Sequence, residues 1–141
     1  MCASYRQAMT ILRYLLSLFF VIAGAMHFLS PQAYMQIMPP FLPSPLFLIY
    51  LSGVCEVAGG IGVLLPRSRR IAGYGLIALL IAVFPANIYM AVNHLGVSGT
   101  PLPDWLLWLR LPLQAVLILW VWVCTIKSPT IRRAKTHTLK T

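Results

Sequence analysis

Acidic side chains are almost missing from this chain: Asp and Glu together number 2 against 11 Lys and Arg, a formal net charge of +9. Charge of any sign is scarce too. Only 9% of residues are charged and 60% are hydrophobic, where a soluble domain carries about 25% charged residues. That excludes an ordinary soluble domain and leaves no room for a separate one. The 3 cysteines stand far apart, at Cys2, Cys55 and Cys124, so no disulfide framework is indicated. No CxxC occurs, which argues against a thioredoxin-like redox pair and against a zinc site. A nucleic-acid binder could share the positive charge. Here, however, the basic residues stand at the ends of apolar runs and in the tail, where cytoplasmic membrane anchors belong.

What is present is a set of long apolar runs. The run over residues 46–65 is apolar almost throughout and has one carboxylate, Glu56, near its middle. A hydrocarbon core of roughly 30 Å needs about 20 helical residues to cross it. The run therefore predicts a membrane helix with an acid close to mid-bilayer. Three more spans are predicted at about residues 9–29, 71–93 and 105–126. A basic start, an apolar core and Ala23-Gly24-Ala25 also fit a signal peptide. The first run is long for that role, however, and His27-Phe28 continue it past the supposed cleavage site.

Ser30-Pro31 ends the first span and can start a short helix, with Ser at the N-cap and Pro in the first turn. Pro39, Pro40, Pro43 and Pro45 then impose a stiff extended path. Residues 30–45 carry Tyr34, Met35, Met38 and Phe41 without Lys or Arg, and they predict an interfacial lid, with a plain tight connector as the alternative. Arg6 and Arg13, then Arg67, Arg69 and Arg70, then Lys127 and the tail cations flank alternate segments. By the positive-inside rule both termini and the 66–70 turn are cytoplasmic. Trp105 and Trp108 mark the outer end of the last span, Trp120 and Trp122 its inner end. The expected architecture is an all-α, polytopic membrane four-helix bundle. Residues 1–8 form a cytoplasmic N-terminus, and residues 127–141 a basic, aperiodic tail that contacts anionic lipid.

Five polar side chains fall in the outer half of the spans or at the midplane: His27, Glu56, Asn87, Arg110 and Gln114. Burial in hydrocarbon drives such groups toward one another. Arg110 is the one base inside a span away from the cytoplasmic end, and Glu56 the one acid, so an ion pair between them is expected; the alternative is that Arg110 reaches outward to lipid phosphates or to Asp104 and Glu56 is protonated. Arg110 and Gln114, four apart, share a helix face. Ser52, Glu56 and Gly60 share another, and Ala78, Ala82 and Ala86 recur at four, small residues that let membrane helices approach closely. Pro85 and Pro112 leave the Ile81 and Trp108 carbonyls without helical donors. These features together point to a ligand pocket between the helices, under the lid. No metal site is expected.

The stretches AGAMHFLSPQAYMQIMPPFLP, LSGVCEVAGGIGVLLPRSRRIAGYGLIALLIAVFPANIYMA and WLLWLRLPLQ resemble the DoxX family of small four-helix membrane proteins. The likeness runs over about residues 10–126. It implies a four-helix membrane fold in a bacterial plasma membrane. It also implies a link to respiratory redox, since relatives include the small subunit of an archaeal thiosulfate:quinone oxidoreductase. The corresponding expectation is an accessory or binding subunit, rather than a self-sufficient oxidoreductase, that holds a quinone or similar amphipathic molecule. The chain encodes no cofactor motif, so electrons would come from a redox partner protein or a bound cofactor. Binding or transport of a lipophilic solute without redox, in a homo-oligomer, is the alternative. A purely structural scaffold is another.

Overall fold

The computed structural model describes residues 2–96 and 102–127; the expectations for the rest of the basic tail lie outside them. Five α-helices follow one another: α1 Cys2–Leu29, α2 Pro31–Met35, α3 Pro45–Leu64, α4 Arg69–Val92 and α5 Asp104–Trp122, the last continued by a π-helical turn, Val123–Lys127. Four of these helices are long and apolar enough to cross a membrane, and α2 is the exception. No strand occurs among the described residues. The protein is an integral membrane four-helix bundle.

Most boundaries lie within two residues of the sequence expectation. The start of α1 does not. The helix begins at Cys2 rather than near residue 9, so residues 4–8 are helical rather than a separate polar terminus. Nothing in that segment breaks a helix, and the Thr10 hydroxyl donates to the Arg6 carbonyl at 2.9 Å. Met9 is buried in the main apolar core, with Leu16, Phe20, Val63, Leu76, Val121 and Cys124. At the other terminus the α-helical pattern stops at Trp122, and the wider π turn seats Thr125 directly against Gly73. The Thr125 hydroxyl donates to the Val121 carbonyl at 2.6 Å.

Packing follows chain order. α1 lies along α3, α3 against α4, and α4 against α5, with the π turn touching α4 and α1. The α1–α3 contact is the most intimate because it is made through glycines. A β-carbon on Gly60 would stand 3.0 Å from the Ser17 carbonyl oxygen, and one on Gly24 2.7 Å from the Gly53 carbonyl oxygen. Apolar area is not what distinguishes this core, since lipid tails are as apolar as leucine. Close van der Waals contact between backbones is the main attraction between such helices. Outside, large apolar side chains such as Leu29 and Ile71 stand three-quarters exposed, the surface expected of a protein whose solvent is hydrocarbon.

The two ends of the bundle differ in chemistry. At the basic end Arg69 donates to the Val63 and Leu64 carbonyls at 2.9 and 3.3 Å, and the Ser68 hydroxyl to the Gly62 carbonyl at 3.1 Å. These bonds satisfy the last carbonyls of α3, which have no helical donor of their own. At the opposite end the proline-rich segment folds back over the helices. Ser44 takes a left-handed conformation with φ 50° and turns the chain into α3, with Pro45 in its first turn. Ala33 and Pro39 are buried. Ile37 packs on a second apolar cluster of Met90, Ala91 and Leu107, which joins α4 to α5. The segment thus spans the bundle from α1 to α5, as a lid would.

Candidate functional site

The polar site is built on the α1–α3 glycine contact. His27 follows Gly24 by three residues and Glu56 follows Gly53 by three. Helical side chains lean toward their own N-terminus, and α1 and α3 run in opposite directions. The imidazole and the carboxylate therefore lean toward each other. His27 Nδ1 lies 3.8 Å from Glu56 Oε2, with both side chains largely buried. The same Nδ1 sits 2.9 Å from the Ala23 carbonyl oxygen. A carbonyl only accepts, so that contact assigns the proton to Nδ1 and leaves Nε2 of the neutral ring as an acceptor. Glu56 lies eleven residues into α3, about 16 Å along the axis at 1.5 Å per residue, near the middle of a hydrocarbon core of about 30 Å.

Two buried oxygens in this layer have no hydrogen-bond partner: Glu56 Oε2 and the Ser52 hydroxyl, one turn away on the same face of α3. Unsatisfied polar groups in a buried setting cost about 1–3 kcal/mol each. Such atoms are expected where a ligand or water completes the site.

Tyr34 closes the layer from the lid. Its ring stacks on His27 with centroids 4.0 Å apart and planes 22° apart. Burial raises the pKa of its phenol above the ordinary tyrosine value, the Glu56 charge pushes it the same way, and the Arg110 charge opposes both. The hydroxyl is therefore held neutral, as a donor, within the electrostatic reach of both ionisable groups.

The ion pair expected between Glu56 and Arg110 is not formed. The carboxylate faces His27, whereas Arg110 Nη1 donates to Met90 Sδ at 3.5 Å, a weak acceptor. The reason is topological. Arg110 rides on α5, which packs on α4, and Glu56 rides on α3, whose main neighbours are α1 and α4. Asp104 does not take Arg110 either; its carboxylate lies 2.6 Å from His94 Nδ1 on the exposed surface.

Asn87 and Gln114 form a separate pair that links α4 to α5. Asn87 Nδ2 donates to Gln114 Oε1 at 2.8 Å, and Gln114 Nε2 donates to the Leu80 carbonyl. That carbonyl is one residue before Ile81, whose helical donor Pro85 removes. The amide pair thus knits the proline-disturbed stretch of α4 to the neighbouring helix. The pair lies one turn along α5 from Arg110.

Five side chains named from the sequence therefore fall into two groups. His27 and Glu56 meet; Asn87 and Gln114 meet; Arg110 belongs to neither pair, donating to Met90 and acting on Tyr34 through its charge. Two members escaped the sequence reading of the site. Ser52 was visible as the residue one turn from Glu56 on a shared face. Tyr34 carries no such signal, because its place over His27 depends on how the lid folds back. Among the described residues no cluster of His, Cys, Asp or Glu could hold a metal ion.

A family model matches residues 16–125 of the chain, that of DUF8561, a domain of unknown function. No curated protein sequence and no solved structure matches it.

Proposed function

We propose, from the premise that the chain belongs to the DUF8561 family, that it is a membrane subunit that binds a small amphipathic molecule of the quinone class under the lid. One observation carries this reading: Glu56 Oε2 and the Ser52 hydroxyl are buried without partners, beside His27 and beneath Tyr34. Binding sites for such molecules are mostly apolar with a few convergent polar groups, and this layer has that composition. A quinone fits the donor set: its carbonyl oxygens accept hydrogen bonds, and the Tyr34 hydroxyl, the Ser52 hydroxyl and the Arg110 guanidinium donate them.

A bound quinone would supply two-electron, two-proton redox chemistry. The chain's own residues hold and hand on protons. His27 keeps a proton on Nδ1, and Glu56 is the nearest group able to exchange one. Electrons would come from a partner protein or a bound cofactor, since the sequence carries no electron-carrying motif. The redox part of the proposal rests on the resemblance to the DoxX family, whereas binding rests on the site. The same proposal places the protein in a bacterial plasma membrane, with the basic end and the tail in the cytoplasm on anionic lipid and the lid on the outer side.

The test is ligand-dependent stability. The protein in mild detergent is titrated with a short-chain ubiquinone analogue and its unfolding midpoint followed. A saturable rise is expected in the wild type, with loss of the rise in Glu56→Gln and His27→Ala. No rise in the wild type would overturn the proposal. Native mass spectrometry of the same sample identifies what remains bound.

A further inference from the structure

The layer where α1 meets α3 is short of hydrogen-bond donors. His27 Nδ1 lies 2.9 Å from the Ala23 carbonyl oxygen, which assigns the ring proton to that atom. Nε2 of the neutral ring is then an acceptor, and among the described residues nothing donates to it. Glu56 Oε2 receives no hydrogen bond either. His27 Nδ1 stands 3.8 Å from it, beyond hydrogen-bond length. A carboxylate only accepts. The Ser52 hydroxyl, one turn back on the same face of α3, is also buried without a partner. Tyr34 meets the imidazole face to face, so its hydroxyl does not serve the ring nitrogens, whose hydrogen bonds lie in the ring plane. Neither buried oxygen is open to water, and solvent does not make good the missing bonds.

Two acceptors thus share one hydroxyl. If Ser52 turned its proton to either of them, the other would stay bare. What completes this side of the site is a group that donates to Glu56 and accepts from Ser52 in return. Residues four apart on a helix carry β-carbons about 5–6 Å apart, a gap that one bridging oxygen closes by bonding to both side chains. A hydroxyl has that chemistry and a ketone carbonyl does not. The two forms of a quinone differ in this respect. The oxidised form presents two carbonyl oxygens, which only accept. The reduced form presents two hydroxyls, which donate and accept. Donors such as the Tyr34 hydroxyl suit the oxygens of either form, whereas Glu56 Oε2 suits only the reduced one.

We infer, resting on the reading that the lid site takes a molecule of the quinone class, that the site selects the reduced, hydroquinone form. One hydroxyl of that form donates to Glu56 Oε2 and accepts from Ser52, so Glu56 sets the preference. A site built to pair with a hydroxyl rejects the analogue that lacks it, because its own buried polar groups are then left unpaired. The oxidised form still binds through the donors, more weakly.

The test titrates the full chain in mild detergent, under anaerobic conditions, with a short-chain ubiquinone analogue and separately with its purified hydroquinone. The unfolding midpoint is followed and a Kd taken for each form. The hydroquinone is expected to bind tighter by about tenfold or more, given the cost of leaving a buried group unpaired. The gap should close in Glu56→Gln, whose amide donates as well as accepts and so serves both forms. Equal affinities in the wild type, or tighter binding of the oxidised form, overturn this inference and leave the proposed function standing. Binding of neither form overturns both. A gap that persists in folded Glu56→Gln overturns the assignment to Glu56. If that variant does not fold, the wild-type comparison alone decides.

Discussion

Gly24 of α1 and Gly53 of α3 touch through their backbones. A β-carbon on Gly24 would stand 2.7 Å from the Gly53 carbonyl oxygen, and one on Gly53 2.9 Å from the Gly24 carbonyl oxygen. This contact sets the geometry of the site, because His27 and Glu56 lie three residues beyond it on opposed helices. Spacing the helices apart by one methyl group would part the imidazole from the carboxylate.

Gly53→Ala is therefore expected to destabilise the bundle by about 1–3 kcal/mol, the usual range for overpacking. Its new methyl meets His27 Cβ at 2.8 Å, so quinone-dependent stabilisation should fall with it. Gly75 supplies the control: nothing lies within 4 Å of its β position. Gly75→Ala should be neutral or stabilising by up to ~1 kcal/mol, since glycine is a poor helix former. Reversible unfolding in detergent, followed by far-UV circular dichroism, measures both. Equal costs at the two positions would count against the close-contact account.

The Glu56–Arg110 geometry leads to a second expectation. Each group has its own surroundings, Glu56 against His27 and Arg110 against Met90. Exchanging the charges, Glu56→Arg with Arg110→Glu, should not restore what either single change loses. The reversed arginine would sit beside His27 and the reversed glutamate beside a thioether. A double variant clearly more stable than both singles would show that the two groups pair directly after all.

Much of the bundle was legible in the sequence, because lipid imposes simple rules. Length, apolarity and the absence of competing charge mark a span, and residues 46–65 differ from α3 by one residue at each end. The start of α1 was less legible. Arg6 and Gln7 look like a polar terminus, yet polarity does not break a helix, and Met9 has a core to enter. The site was legible as a list of residues but not as a set of contacts. Opposite charge suggested that Glu56 and Arg110 would pair. Which helices adjoin decided otherwise, and no local pattern encodes that. The same holds for Tyr34, which reaches His27 only through the fold of the lid.

Tyr34 gives a pH-dependent prediction. Burial, reinforced by the Glu56 charge, raises the pKa of its phenol above the ordinary tyrosine value of 10.0. The folded state therefore holds this proton more tightly than the unfolded chain does. Below pH 10 both states keep it and the group contributes no pH dependence. As pH rises from about 10 toward the raised folded value, the unfolded chain ionises first and stability falls. Tyr34→Phe lacks that proton but keeps the ring on His27. The wild type should lose stability relative to Tyr34→Phe only on the alkaline side, with parallel midpoints from pH 7 to 9. Loss of stability in the variant at neutral pH would instead assign the hydroxyl a hydrogen bond in the folded state.

The amide pair can be weighed by a double-mutant cycle. Gln114→Leu removes the donor to the Leu80 carbonyl and the acceptor for Asn87 at once, in a buried position. Asn87→Leu removes only one of those bonds and leaves Gln114 on Leu80. The Gln114 change should therefore cost more, about 1–3 kcal/mol for buried groups left unpaired. The coupling between the two positions should be smaller. Interhelical side-chain bonds in a membrane average ~0.6 kcal/mol and reach at most ~1.7 kcal/mol, because the unfolded chain in the membrane also finds partners. The ordering is the sharper test. If Asn87→Leu costs as much as Gln114→Leu, the bond to Leu80 contributes nothing, and Gln114 is not what steadies the proline-disturbed stretch of α4.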